Sequence, residues 1–301
     1  MKKILSLMLL SLFGAGAFAG GARQSAPAEK PMIAVSILPQ GYFVQRIAGD
    51  LVDRVVLVGE GQSPHAYEPS PKQMGDLAKS KAWILSNSDF ELSLRPKIAA
   101  QYPSLLIVDG TEGVKFRKME DHSHEGEEDQ AAEATGVNID RHTWLGRAPA
   151  RIMAGHIRDA LGRVDPANKQ TYDANYQALL ADIDREFNAL VPALAPLKGQ
   201  AVFVFHPAFG YFLDEFGIQQ EAVETGGKEP TAKALSALID EARKDGVKVI
   251  FVQAQFPTQA ATTLANAIGA QVLPLDPLAP DWLDNIRRIG ATLQKAARQV
   301  Q

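Results

Sequence analysis

The chain holds six histidines, at 65, 122, 124, 142, 156 and 206, and no cysteine. Thiolate nucleophiles, disulfide frameworks, iron–sulfur ligation and cysteine-type zinc modules are therefore excluded, and any metal site must be built from His, Asp and Glu. Three of the histidines share a setting. His65 stands in Gly-Gln-Ser-Pro-His-Ala-Tyr-Glu-Pro at 61–69, His142 in Asp-Arg-His-Thr-Trp-Leu-Gly at 140–146, and His206 directly after the apolar run Ala-Val-Phe-Val-Phe at 201–205. Each reads as part of a loop between an apolar run and an amphipathic segment, and in open α/β sheets such loops converge on one crevice beyond the strand ends. Asp276, flanked by Pro274 and Pro277, closes another apolar run at 271–275 and is a fourth group of this kind. Borderline-soft Zn2+ takes imidazole nitrogen at about 2.0–2.1 Å and carboxylate oxygen at similar range in a tetrahedron, so His65, His142, His206 and Asp276 form a coherent candidate set. Taken singly, each loop histidine also reads as an exposed or capping side chain. His156 differs, because it lies inside an amphipathic run near Ile152, Met153 and Ala160 and reads as helix-surface packing.

The elements that must carry these residues follow from the patterning. Short apolar runs alternate with amphipathic segments, the signature of α/β architecture with mainly parallel strands. Strands are expected at 32–38, 52–58, 82–85 and 105–108, and again at 201–205, 247–252 and 271–275. Helices are expected at 42–48, 71–80, 90–100 and 148–161 in the first group and at 231–244, 258–268 and 281–298 in the second. In the last of these Trp282, Ile286, Ile289 and Leu293 recur at three or four residues, which turns one face to a sheet. Between the groups, Asp165-Pro166 marks a helix start, and the pattern runs from 167 to 190 before Pro192 and Pro196 stop it. At 1.5 Å per residue that helix is roughly 35 Å long. It reads either as a rigid bridge between two lobes, at 31–164 and 196–301 with 165–195 connecting them, or as a crossover helix inside one large domain.

With 301 residues, 46% of them apolar, the chain can bury one or two cores, and 31 Lys plus Arg against 35 Asp plus Glu leave a formal charge of −4. No basic cluster is present, so nucleic acid is not an expected partner. At the N-terminus, Lys2-Lys3, an apolar run at 4–13 and Ala17-Phe18-Ala19 follow the order of a secretory signal peptide, with cleavage expected after Ala19 and a flexible lead-in at 20–30. The apolar run is about half the ~20 residues a spanning helix needs, and no later stretch is long enough, so the exported chain is not expected to cross a membrane. Residues 112–140 contain Glu-Asp-His-Ser-His-Glu-Gly-Glu-Glu-Asp at 120–129. Such a segment cannot bury enough apolar surface to fold alone, and it reads as an acidic loop that either collects divalent cations weakly or is simply a solvated linker.

From Ile-Leu-Pro at 37–39 to the closing helix, the chain resembles the metal-binding solute receptors of zinc and manganese ABC importers. The features that carry the resemblance occur in register: Pro-His-Ala-Tyr-Glu-Pro-Ser-Pro at 64–71, the acidic His-containing loop, Asp-Arg-His-Thr-Trp-Leu at 140–145, Phe-His-Pro-Ala-Phe-Gly-Tyr-Phe at 205–212 and Leu-Asp-Pro-Leu at 275–278. The resemblance implies two α/β lobes joined by a long helix, with the metal between them on His65 and His142 from the first and His206 and Asp276 from the second. It further implies a monomeric periplasmic receptor, not an enzyme, that captures Zn2+ and passes it to an ABC permease at the inner membrane. Two departures are visible. Zinc members often carry a long His-rich stretch where this chain has only His122 and His124, and an acidic residue is frequent where this chain has Gln253.

Two other readings compete. Within the family, a manganese or ferrous iron receptor is the alternative; hard Mn2+ favours oxygen ligands, and the manganese receptors are expected to carry a carboxylate where His206 stands. Outside it, a secreted zinc hydrolase would need an open ligand position and a nearby base, commonly in an H-E-x-x-H motif that this sequence lacks.

Overall fold

The computed structural model describes residues 29–119, 139–224, 230–256 and 259–300. The expected signal peptide, most of the lead-in, and the acidic segment with His122 and His124 lie outside the described residues. Runs such as Met-Ile-Ala-Val-Ser-Ile make strands that can be buried on both faces, which is what a parallel sheet covered by helices requires. This run is β1 (Met32–Ile37), and its last five residues are buried. It sits inside a four-stranded parallel sheet with β2 (Asp53–Val58), β3 (Ala82–Leu85) and β4 (Leu106–Asp109), in the order β2-β1-β3-β4. A second parallel sheet repeats the plan with β5 (Ala201–Val204), β6 (Gln219–Ala222), β7 (Val249–Val252) and β8 (Gln271–Pro274), in the order β6-β5-β7-β8. Val35 pairs with Val56 and Ile84, and Val204 with Ala222 and Phe251. In both sheets the strand order reverses beside the first strand, and a crevice at the strand C-termini is the geometric result. The strand β6 was not among those expected, because Gln-Gln-Glu-Ala carries no apolar run; its place at a sheet edge tolerates polar residues.

Helices α1 (Leu38–Ala48), α2 (Pro71–Lys79), α3 (Asp89–Gln101) and α4 (Arg147–Val164) serve the first sheet. The second has α6 (Gly210–Glu215), α7 (Ala232–Lys244), α8 (Gln259–Ile268) and α9 (Trp282–Val300), with α5 (Lys169–Leu194) between the two groups. Local rules place their starts: Ser70 caps α2 by accepting from the Gln73 amide at 3.4 Å, and Pro71 occupies the first turn, where its missing N–H costs nothing.

At 26 residues, α5 is about 39 Å long. It runs past Pro192, contrary to the expected stop, because that proline falls in the last turn; the bond it cannot make would go to the carbonyl of exposed Asn188. Tyr172, Leu179, Ile183, Phe187, Leu190 and Leu194 form its buried stripe at spacings of three, four and seven. Phe187 lies among Phe212, Phe216 and Trp282 with ring centroids 5.9, 6.1 and 6.4 Å away, and Trp282 in turn meets Phe43 of α1 at 5.0 Å. Gly290 of α9 permits the crossing with α5, since a Cβ there would stand 2.4 Å from Leu190 Cδ2. One apolar core thus runs from the first sheet through α5 into one face of the second. The two α/β lobes share that core and the long helix through it. Among the described residues no helix is long and apolar enough to cross a membrane.

Candidate metal centre

Described residues beyond the strand ends meet at one crevice. His65 follows β2, Asp89 opens α3 after β3, and His142 lies beyond β4 just ahead of α4. From the second lobe come His206 after β5, Glu224 after β6, Gln253 and Gln255 after β7, and Asp276 after β8. The three histidines, separated by up to 141 positions, meet here. Nε2 of His206 is 3.0 Å from Nε2 of His65 and 3.1 Å from Nε2 of His142. A tetrahedral zinc with nitrogen ligands at about 2.0–2.1 Å separates those nitrogens by about 3.3 Å, so the rings already stand close to the required spacing.

Each ring is held from behind. Nδ1 of His65 is 2.5 Å from Asp89 Oδ2, Nδ1 of His142 is 2.8 Å from Asp140 Oδ1, and Nδ1 of His206 is 2.7 Å from Glu224 Oε1. A carboxylate can only accept, so each Nδ1 carries the hydrogen and each Nε2 turns a lone pair to the centre. Three converging lone pairs without a hydrogen between them repel, and a cation at their focus turns that repulsion into ligation.

Burial differs among the three. His142 and His206 are each 3% exposed, while the His65 side chain is 30% exposed. Burial, together with the repulsion that a proton on His142 or His65 would add, holds the pKa of His206 well below its ordinary 6.5, which keeps its lone pair available near neutrality. Burial works against ionisation of Asp89 and Asp140, yet the hydrogen bonds and charge of their histidines, aided by Arg141 and Arg117 respectively, keep both carboxyls below the usual range. The ring of His206 also stacks on Phe256 at 4.2 Å, and its backbone N–H donates to Gln253 Oε1 at 3.0 Å. Gln253 is fully buried and serves the His206 backbone.

The position of Asp276 is different from that of the histidines. Its Oδ1 accepts from Gln255 Nε2 at 3.0 Å and from the Leu278 amide at 2.8 Å, and both of those residues line the pocket around the rings. The cluster of ligand atoms lying within 4.8 Å of one another contains His65, His142 and His206 alone among the described residues. His156 is elsewhere, its Nε2 on the carbonyl of Glu112 at 2.8 Å. Sequence reasoning missed Asp89, Asp140 and Glu224 as holders of the rings. Asp140 carried a signal, since a side chain two residues before His142 can reach both its amide and its ring, and does so at 2.9 and 2.8 Å. Asp89 and Glu224 reach their rings only through the fold.

Residues 33–296 match a family model described as the periplasmic zinc-uptake complex component A. A crystal structure of ZnuA superposes with a TM-score of 0.81 at 34% identity, covering 89% of this chain and 99% of that one. A zinc-bound ZnuA deletion mutant lacking its residues 138–173 gives 0.80 at 34% identity, with 89% and 98% covered. The zinc-binding lipoprotein AdcA of Streptococcus pneumoniae is 28% identical in an alignment 292 residues long that covers 92% of this chain and 56% of its own length. The chain therefore spans a little over half the length of such curated relatives. The manganese complex of FpvC from Pseudomonas aeruginosa shares the fold, with a TM-score of 0.76, 24% identity, and 91% and 100% of the two chains covered.

Proposed function

The chain belongs to the family of the periplasmic zinc-uptake complex component A, and on that premise we propose that it is a periplasmic receptor that captures Zn2+ and delivers it to an ABC permease. The observation that carries this reading is the convergence of three Nε2 atoms whose Nδ1 atoms are all held by carboxylates. His65, His142 and His206 are the nitrogen ligands, with His65 and His142 contributed by residues 31–164 and His206 by 196–301, either side of the connecting segment 165–195. Asp276 supplies the fourth position by turning its carboxylate from Gln255 towards the ion. Three imidazoles favour zinc over manganese, because harder Mn2+ prefers oxygen donors and a higher coordination number. Four protein ligands would close the site to a reactive water, so the chain acts by binding and release rather than by catalysis.

Export fits the same reading. Residues 1–19 are removed as a signal peptide, and the receptor works as a monomer. Metal analysis of protein purified from the periplasm without added metal, followed by zinc–manganese competition, tests the proposal. Stoichiometric zinc with an intact mass lacking 1–19 is the expected result; manganese or no metal would overturn it.

A further inference from the structure

Behind His142 the side chain of Arg117 bridges the two lobes. Arg117 belongs to the first lobe, eight residues beyond the end of β4. Its Nη1 donates to Asp140 Oδ2 at 2.9 Å, and its Nε donates to Asp214 Oδ2 on α6 of the second lobe, also at 2.9 Å. Asp140 is fully buried and is the carboxylate that holds both the amide and the ring of His142. Asp214 lies on the helix that follows His206. The main chain repeats the tie: the Arg117 amide donates to the Tyr211 hydroxyl at 3.0 Å, and that hydroxyl donates to the Asp140 carbonyl at 2.9 Å. The guanidinium also packs against Gly210, where a Cβ would stand 1.7 Å from Nη1, so a side chain there would displace it.

We infer that Arg117 is a positioning residue for metal capture, which locks the carboxylate behind His142 to the helix behind His206 and so fixes the spacing of those two ligands before the ion arrives. A planar guanidinium can serve two carboxylates at fixed angles where an ammonium cannot. Lobe approach and ring orientation are thereby one event: separating α6 from the first lobe pulls on the group that aims His142. The inference rests on the assignment of the histidines as ligands.

The test uses the exported chain with four variants: Arg117→Gln, Arg117→Lys, Asp214→Asn and Gly210→Ala. Zinc dissociation is followed by transfer to a chromophoric chelator, the d–d spectrum of Co2+ reports coordination geometry, and apo melting reports the fold. Loss of a group that orients a metal ligand typically costs about 10–100-fold in affinity, and Arg117→Gln should lie in that range, mainly through faster dissociation. Asp214→Asn and Gly210→Ala, which leave Asp140 and the arginine charge in place, should move zinc release and the Co2+ spectrum the same way by about 3- to 10-fold, and Arg117→Lys should resemble them rather than wild type. If Arg117→Gln fails to fold, Asp214→Asn and Gly210→Ala still decide. Variants that melt lower yet release zinc and bind Co2+ as wild type does would overturn the inference. A wild-type chain with no tight zinc binding would instead overturn the ligand assignment itself.

Discussion

The Nε2 atoms of His142 and His206 stand 3.1 Å apart although the residues are 64 positions apart and belong to different lobes. Neither ring is free to turn, because Asp140 and Glu224 hold the Nδ1 atoms at 2.8 and 2.7 Å. Under the proposed ligation, binding would need little reorientation of these two rings, because the ordering that a floppy site undergoes on binding would already be in place. His65 is the most exposed of the three, with its side chain 30% exposed.

His206→Ala should weaken zinc binding by more than the about 10–100-fold that loss of a ligand's hydrogen-bond partner costs. His156→Ala, which loses only a bond to the Glu112 carbonyl, should bind zinc as wild type does. Calorimetric titration of both proteins at one pH and ionic strength makes the comparison. His206→Glu should shift preference towards Mn2+ by exchanging imidazole nitrogen for carboxylate oxygen.

Glu224→Ala removes the acceptor behind His206 without touching a ligand atom. Zinc affinity should fall about 10–100-fold while stoichiometry stays at one. Unchanged affinity would mean that stacking on Phe256 orients the ring without the carboxylate.

Glu91 provides a pH prediction away from the ligands. Burial pushes its carboxyl from 4.5 up to about 7, against hydrogen bonds from Ser36 and Ser86 and from the backbone. The folded state then binds this proton more tightly than the unfolded one. Its contribution to stability is fully present below 4.5 and is lost as pH rises through about 7. Glu91→Gln does not titrate, so the melting advantage of apo wild type over this variant should shrink from about pH 5 to about pH 8. An advantage that grows with pH would contradict the assignment.

Phe187→Ala opens a hole where α5 meets Phe212, Phe216 and Trp282, and Phe187 itself is fully buried. Urea unfolding should show a loss of about 3–5 kcal/mol. A loss below about 1 kcal/mol would mean that the shared core contributes little to joining the lobes.

Deleting residues 120–129 should leave the tight zinc phase intact, since every proposed ligand lies elsewhere in the sequence. Only a weaker second phase, if the wild type has one, should disappear on calorimetric titration. Loss of the tight phase would place a primary ligand in the deleted segment.

Much of this was legible in the residues themselves. Strands such as 82–85 and 201–204 are continuous apolar runs because both faces of a parallel sheet are covered, and that makes them visible. The polar edge strand at 219–222 and the six-residue helix at 210–215 carry no such pattern and emerge only from pairing and packing. The histidines were legible because each stands beside a loop at a strand end. The carboxylates of Asp89 and Glu224 were not, because they lie 24 and 18 positions from the rings they hold and nothing local marks the partnership. Asp276 was placed correctly beyond a strand end, but sequence could not reveal that Gln255 and the Leu278 amide engage its Oδ1.

One zinc ion is expected where the three Nε2 atoms converge. Diffraction collected at the zinc absorption edge, from crystals of the exported chain loaded with one equivalent of zinc, locates the ion without assumption. The expected result is a single anomalous peak about 2.0–2.1 Å from Nε2 of His65, His142 and His206, with a carboxylate oxygen of Asp276 at similar range. A peak bound by fewer than two of these histidines, or lying on residues 120–129, would contradict it.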